Sequence, residues 1–259
     1  MLPTIAIFLS AASLAVVGVF CAMFLSVAFA GPQAQAVAGR RSWRPPLTGD
    51  DPITRWATRM TASVANRHMS TNRSSSTATM LADELFQGAV DAIEQLKGEE
   101  GQCSARCHEM IGVTAPEVLA VADSIQQLSA TELNRISQLA DANAARTETM
   151  SRGEYEGAGV TCPLLGGDDT CAVYSRRPLS CRADCAECAS EGGADTQRGV
   201  SSLAQGIYSG LANALEEGGV DAGRYELNSA LASALHATDL SKRWANGEHV
   251  FASCKQFPA

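Results

Sequence analysis

Five cysteines fall between positions 162 and 188, in the stretch CPLLGGDDTCAVYSRRPLSCRADCAEC, at 162, 171, 181, 185 and 188. A free cysteine packs as a small hydrophobe, and core packing gives no reason to crowd five of them into one segment. A thiolate cage for a soft or borderline metal does give one. The rest of the chain is therefore read as what holds, completes or localises that segment.

Two more cysteines, Cys103 and Cys107, follow an amphipathic pattern over Met80 to Lys97 and precede two further helical stripes. Ligands drawn from two distant loops close much of the chain around one ion, so that binding energy becomes folding energy. Thiolates suit zinc or iron, including an iron–sulfur cluster, and not magnesium or calcium. The spacing Cys181-x3-Cys185-x2-Cys188 also occurs in radical S-adenosylmethionine enzymes, but no barrel-like repeat surrounds it here. No nucleophile elbow, phosphate loop or paired acid/base motif is present.

The compartment decides how these thiols behave. Nine cysteines are present, and Cys21, in an apolar run, is set apart from the other eight. Leu2 to Ala30 carries no charged side chain, and Ile5 to Ala30 is long enough to cross a hydrocarbon core as a helix. Arg40, Arg41 and Arg44 follow it, which places the C-terminal side in the cytoplasm. There the thiols stay reduced and available to a metal. The alternative is a secretory signal cleaved after Ala28-Phe29-Ala30, with the remaining cysteines paired as disulfides.

Hydrophobic residues make up 46 % of the chain but aromatics only 5 %, and alanine is abundant, which favours closely packed helices. The net charge of −8 and the lack of a basic block argue against nucleic acid as a partner. The expected fold is mainly α: a small helical domain around a cysteine-rich metal-binding loop region, with an N-terminal transmembrane helix. Residues 1–30 form the anchor or signal, and 31–76 a linker with a short helix over Ile53 to Met69. Residues 77–190 form the cysteine-cluster domain, and 191–259 the C-terminal helices that pack on it. Capping boxes at Thr114-Ala-Pro-Glu117 and Ser129-Ala-Thr-Glu132 open two helices, while Arg152 to Gly159 reads as a break. Helical stripes follow at Val200 to Leu215 and Leu227 to Leu235, and no long strand is evident.

Two ordered signatures then point to a family. The first is Cys103-Ser-Ala-Arg-Cys107 followed by Val113-Thr-Ala-Pro-Glu117. The second is Cys162-Pro-Leu-Leu165, Cys171-Ala-Val-Tyr174 and Arg177-Pro-Leu-Ser-Cys181-Arg182. Over about Cys103 to Cys188 the chain resembles the YkgJ-type cysteine-cluster family of zinc- or iron-chelating proteins. The resemblance implies metal ligation by Cys103, Cys107, Cys162, Cys171 and Cys181. It departs from the family at Arg106, where the family has a further cysteine, and Cys185, Cys188 or His108 are the candidates to replace it. Arg177 and Arg182 flank Cys181 and are expected to donate to the thiolates or to carry surface charge. Tyr174 is expected in the core, Asp168 and Asp169 in a loop turn, and Cys254 as a buried or free thiol. The chain is expected to be a metal-binding protein. The alternatives are a redox or protein-modifying enzyme using the cluster, and an exported disulfide-stapled interaction protein.

Overall fold

The computed structural model describes residues 52–70, 72–87, 89, 107–183 and 193–257. They are mainly helical: α1 (Pro52–Ser70), α2 (Thr77–Ala82), α3 (Ala115–Ile125), α4 (Ala130–Thr147), α5 (Arg152–Gly157), α6 (Gly193–Glu217), α7 (Leu227–His236) and α8 (Leu240–Ala245). Helix α2 runs on into a π-helical turn over Asp83–Gln87. The apolar N-terminal run, Cys103, Cys185, Cys188 and half of the expected Met80 to Lys97 helix lie outside the described residues. Among the described residues, no helix is long and apolar enough to cross a membrane.

Two short strands, β1 (Gly112–Thr114) and β2 (Arg224–Glu226), pair antiparallel with Val113 opposite Tyr225. Each runs without a loop into a helix, β1 into α3 and β2 into α7, and in each case the strand's last residue is the helix N-cap. Thr114 and Glu117 form the expected capping box. Glu226 caps α7 by accepting from the N–H groups of Asn228 and Ser229 at 3.0 and 2.9 Å. Such caps satisfy donors that a helix start would otherwise leave bare. The last described residues lie along β2, where the Phe257 N–H donates to the Arg224 carbonyl at 2.9 Å.

Helix α3 is buried over most of its surface, from Ala115 through Val118, Leu119 and Val121 to Ile125, with only Asp123 exposed. A helix with apolar residues on most of its faces belongs in a core, and each large aliphatic buried there contributes roughly 1.5–3 kcal/mol. The core continues through Leu81 of α2, Leu211 and Leu215 of α6, Leu231 of α7 and Trp244 of α8. Cys162, Cys171 and Cys181 pack against its edge, half-buried.

Helices α1 and α6 lie side by side in the same direction. The Thr54 hydroxyl donates to the Ser202 carbonyl at 3.1 Å near their starts, and Asn66 donates to Glu217 at 3.1 Å near their ends. Closeness comes from Gly206 and Gly210. A Cβ at Gly206 would stand 2.5 Å from the Thr54 carbonyl oxygen, and one at Gly210 would overlap the Thr58 carbonyl. Helix α6 ends in a Schellman turn, with Val220 N–H donating to the Leu215 carbonyl and Gly219 N–H to the Glu216 carbonyl, both at 3.0 Å. Gly219 takes the left-handed φ of 63° that this turn requires.

Several local expectations differ in detail. The short helix expected over Ile53 to Met69 has 19 residues and buries Ala57, Thr61, Val64 and Ala65. The segment read as a break contains α5, opened by a full capping box in which Ser151 and Glu154 bond each other's backbone N–H groups. At α4, Ser129 accepts from the Glu132 N–H at 3.3 Å, but the Glu132 carboxylate turns to Arg135 instead of returning to the cap. Charge attraction to Arg135 one turn ahead outweighs the reciprocal bond.

Candidate metal centre

Three segments carry the four described cysteines of the two signatures. Cys107 lies ahead of β1, Cys162 and Cys171 bracket a tight loop after α5, and Cys181 sits in a helical turn over 179–183. Backbone bonds bring the first two segments together: the Cys162 N–H donates to the Cys107 carbonyl at 2.6 Å. The loop closes on itself through a bridge between Leu165 and Cys171, with the Ala172 N–H donating to the Leu164 carbonyl at 2.8 Å. Asp168 caps its tip by accepting from the Thr170 N–H and hydroxyl at 3.1 and 2.7 Å, and Asp169 adopts φ 61°. That is the turn role expected of these aspartates.

The thiols themselves are electrostatically linked. A hydrogen bond between the Cys107 and Cys162 side chains lowers Cys107 to about 7 and pushes Cys162 well up, with burial adding to the rise. Cys162 also feels Cys181, and Cys171 feels Cys107. Burial raises Cys171, opposed by the Val173 N–H and by Arg177 and Arg182. At both Cys162 and Cys171 the backbone N–H two residues on, of Leu164 and Val173, favours the thiolate over the thiol. Such donors orient a thiolate and stabilise its charge in the way outer partners of a metal ligand do. The donor set is therefore chemically suited to a soft cation. Among the described residues no group of three or more His, Cys, Asp or Glu side chains is positioned to hold a metal ion.

Arg177 and Arg182 are both buried. Arg182 donates from Nε to the Arg177 carbonyl at 3.0 Å and from a terminal nitrogen to the Ser175 carbonyl at 2.6 Å. It thus staples the loop that precedes Cys181 while its charge favours the Cys171 thiolate. Arg177 lies 3.7 Å from the centre of the Tyr174 ring. Tyr174 is not in the core, as the sequence suggested, but 38 % exposed, its ring spent on this cation contact. His108 is exposed and lies 3.5 Å from the Thr161 hydroxyl. His236 pairs with Asp141 at 2.8 Å, and Cys254 is a buried free thiol whose sulfur faces the Ser229 carbonyl at 3.6 Å.

Two supports of the site are invisible in the spacing of its cysteines. The first is Glu117, fully enclosed between β1, α6 and the 179–183 turn. Its Oε2 accepts from the Thr114 N–H and hydroxyl, both at 2.8 Å, and its Oε1 from the Leu179 N–H at 2.8 Å and the Tyr208 hydroxyl at 3.3 Å. The Ser180 N–H donates to Tyr208 Oη at 3.0 Å, and its hydroxyl to the Gly112 carbonyl at 2.7 Å. Glu117 and Tyr208 thus cap the turn that presents Cys181. Burial raises the Glu117 carboxyl above its usual value, against hydrogen bonds and the charge of Arg224. Arg224 itself lies between the rings of Tyr208 and Phe257, at 4.1 and 4.9 Å from their centres.

The second support is Asn143 on α4. It donates to the Thr161 carbonyl at 2.8 Å, fixing the residue before Cys162, and to Asn228 at 3.0 Å. Asn228 in turn donates to Tyr155 and Glu226 at 2.9 and 2.6 Å. Asn143→Leu is expected to cost about 1–3 kcal/mol in urea unfolding, because it leaves buried acceptors bare. The signal for both supports was a polar residue on an otherwise buried helix face.

No protein-family model, curated protein or solved structure matches this chain.

Proposed function

We propose that this chain is a metal-binding protein whose described ligands are Cys107, Cys162, Cys171 and Cys181. Cys103, Cys185 and Cys188 are the further thiols available to the same centre. The metal is zinc or iron, alone or in an iron–sulfur cluster, since both accept thiolates. The observation that carries this reading is the convergence of the signature segments, with the Cys162 N–H bonded to the Cys107 carbonyl at 2.6 Å and Cys171 bridged back to Leu165 in the same loop. The resemblance of Cys103 to Cys188 to the YkgJ-type family, drawn from these same cysteines, points the same way. In this reading the N-terminal apolar run anchors the chain in a membrane with the cysteines on the cytoplasmic side.

The test is elemental analysis and an absorption spectrum of the full chain purified without oxygen. Bound metal is expected, with charge-transfer bands if it is iron–sulfur and no colour if it is zinc. Cys162→Ser is expected to weaken retention against a chelator more than tenfold, while Cys254→Ser leaves it unchanged. Folded, metal-free protein with its cysteines in disulfides would sink the proposal.

The contact between Cys107 and Cys162 favours a second reading, a redox dithiol that joins as a disulfide while passing its two electrons and two protons to a disulfide substrate, which is reduced to two thiols. Alkylation and mass mapping after mild oxidation would then find these two cysteines linked in protein that never carried metal.

A further inference from the structure

Residues Lys255 to Phe257 lie against β2 as a third strand. The Glu226 N–H donates to the Lys255 carbonyl at 2.8 Å, the Phe257 N–H donates to the Arg224 carbonyl at 2.9 Å, and Tyr225 bridges Gln256. So short a strand contact is weak alone, and side chains hold this strap in place. Lys255 donates from Nζ to the Thr147 and Met150 carbonyls, at and beyond the end of α4, and from its backbone N–H to the Ser229 hydroxyl at 3.0 Å.

Phe257 is where the strap meets the segments that carry the thiols. Its ring lies on Gly112: a Cβ there would stand 2.5 Å from Phe257 Cγ and Cδ1, so a larger residue would push the ring away. Phe257 also packs against the small core of Met110, Tyr155 and Val160. Met110 follows Cys107 by three residues, and Val160 precedes Cys162 by two. Arg224 lies 4.9 Å from the centre of the Phe257 ring and 4.1 Å from that of Tyr208. Tyr208 Oη accepts from the N–H of Ser180, whose hydroxyl donates to the Gly112 carbonyl at 2.7 Å. Ser180 directly precedes Cys181. One aromatic side chain thus braces, directly or through a single neighbour, the segments of Cys107, Cys162 and Cys181. Cys171 is held differently, in a loop that closes on itself through the bridge to Leu165.

We propose that Phe257 is a positioning residue of the thiol cluster: it keeps the Cys107, Cys162 and Cys181 segments in register, and lifting the strap frees a bound metal. Outer contacts of this kind hold ligands in the geometry a metal needs. The release of metal rests on the reading of these thiols as ligands, whereas the bracing stands without it.

In the experiment the full chain is made metal-free under reducing conditions and alkylated with iodoacetamide, and modification of each cysteine is followed by peptide mass mapping. Phe257→Ala is expected to speed alkylation of Cys107, Cys162 and Cys181 roughly threefold or more, because local opening sets the rate at half-buried thiols. Cys171 should stay near its wild-type rate. Gly112→Ala should give the same contrast, since its Cβ evicts the ring with Phe257 still in the chain. Loaded with zinc, both variants should lose it to EDTA faster than wild type. General loosening of the fold would expose all four thiols alike; that result, or rates unchanged from wild type, would overturn the proposal. Zinc lost no faster than from wild type would overturn the release of metal. Wild-type chain that takes up neither zinc nor iron would sink the metal reading, and the alkylation contrast would still decide the role of Phe257.

Discussion

Glu117→Ala is expected to lose roughly 2–6 kcal/mol of stability, the sum over two buried backbone donors at about 1–3 kcal/mol each. The donors are the N–H groups of Thr114 and Leu179, which no other acceptor reaches in the described structure. A loss of that size rivals the whole stability of an ordinary domain, about 5–15 kcal/mol. The midpoint of urea unfolding should fall accordingly. Metal retention should fall too, because the turn carrying Cys181 loses its cap.

Glu117→Gln separates the charge of this residue from its shape. Its carboxamide oxygen can still serve Leu179 and Tyr208, but its NH2 meets the Thr114 donors, so it too is destabilising. The pH dependence follows from the raised carboxyl. Between its unfolded value, near 4.5, and its higher folded value, the folded protein holds the proton that the unfolded chain has released. Stability conferred by the wild-type carboxyl is therefore complete below the unfolded value and is lost as pH rises through the folded one. The stability gap between wild type and Glu117→Gln should narrow from pH 4 upward. A gap that widens would contradict the burial-driven rise.

The second large effect lies at the contact of α1 and α6. Gly210→Val is expected to cost at least about 1–3 kcal/mol, the usual penalty for overpacking, because the new side chain meets the Thr58 carbonyl and Thr61. Backbone cannot give way there as the tip of a flexible side chain would. Gly206→Val should behave alike against Thr54 and Ala57. Gly199→Ala is the control. Its Cβ meets nothing nearer than Ile53 at 4.0 Å, so helix propensity should decide, with a gain of up to about 1 kcal/mol. Thermal or urea unfolding of the three variants checks the contrast.

What could be read in the sequence was what acts over short range. Thr114 and Glu117 are three residues apart, and their capping box is a local event that needs no tertiary information. The same signal stands at Ser151 and Glu154, but the six-residue helix it opens is too short to show an apolar stripe. The stripes of α6 and α7 were legible because each buries one repeating face. By contrast, β1 and β2 are three residues each, too short to show alternation, and exist because they find each other. The second duty of Glu117 lay out of sight for a related reason: its donor Leu179 is 62 residues away. Tyr174 departs from the core expected for it because an aromatic ring can be spent on a neighbouring guanidinium as readily as on a core.

The side-by-side run of α1 and α6 also governs when this domain can become a domain. Thr54 waits for Ser202, 148 residues later in the chain. At a synthesis rate of ~5–20 residues per second the first helix spends roughly 7–30 s without its partner. Its apolar face, with Ala57, Val64 and Ala65, is uncovered for that interval. Contacts of such high sequence separation slow folding, and α1 cannot take its place on α6 until α6 has been made.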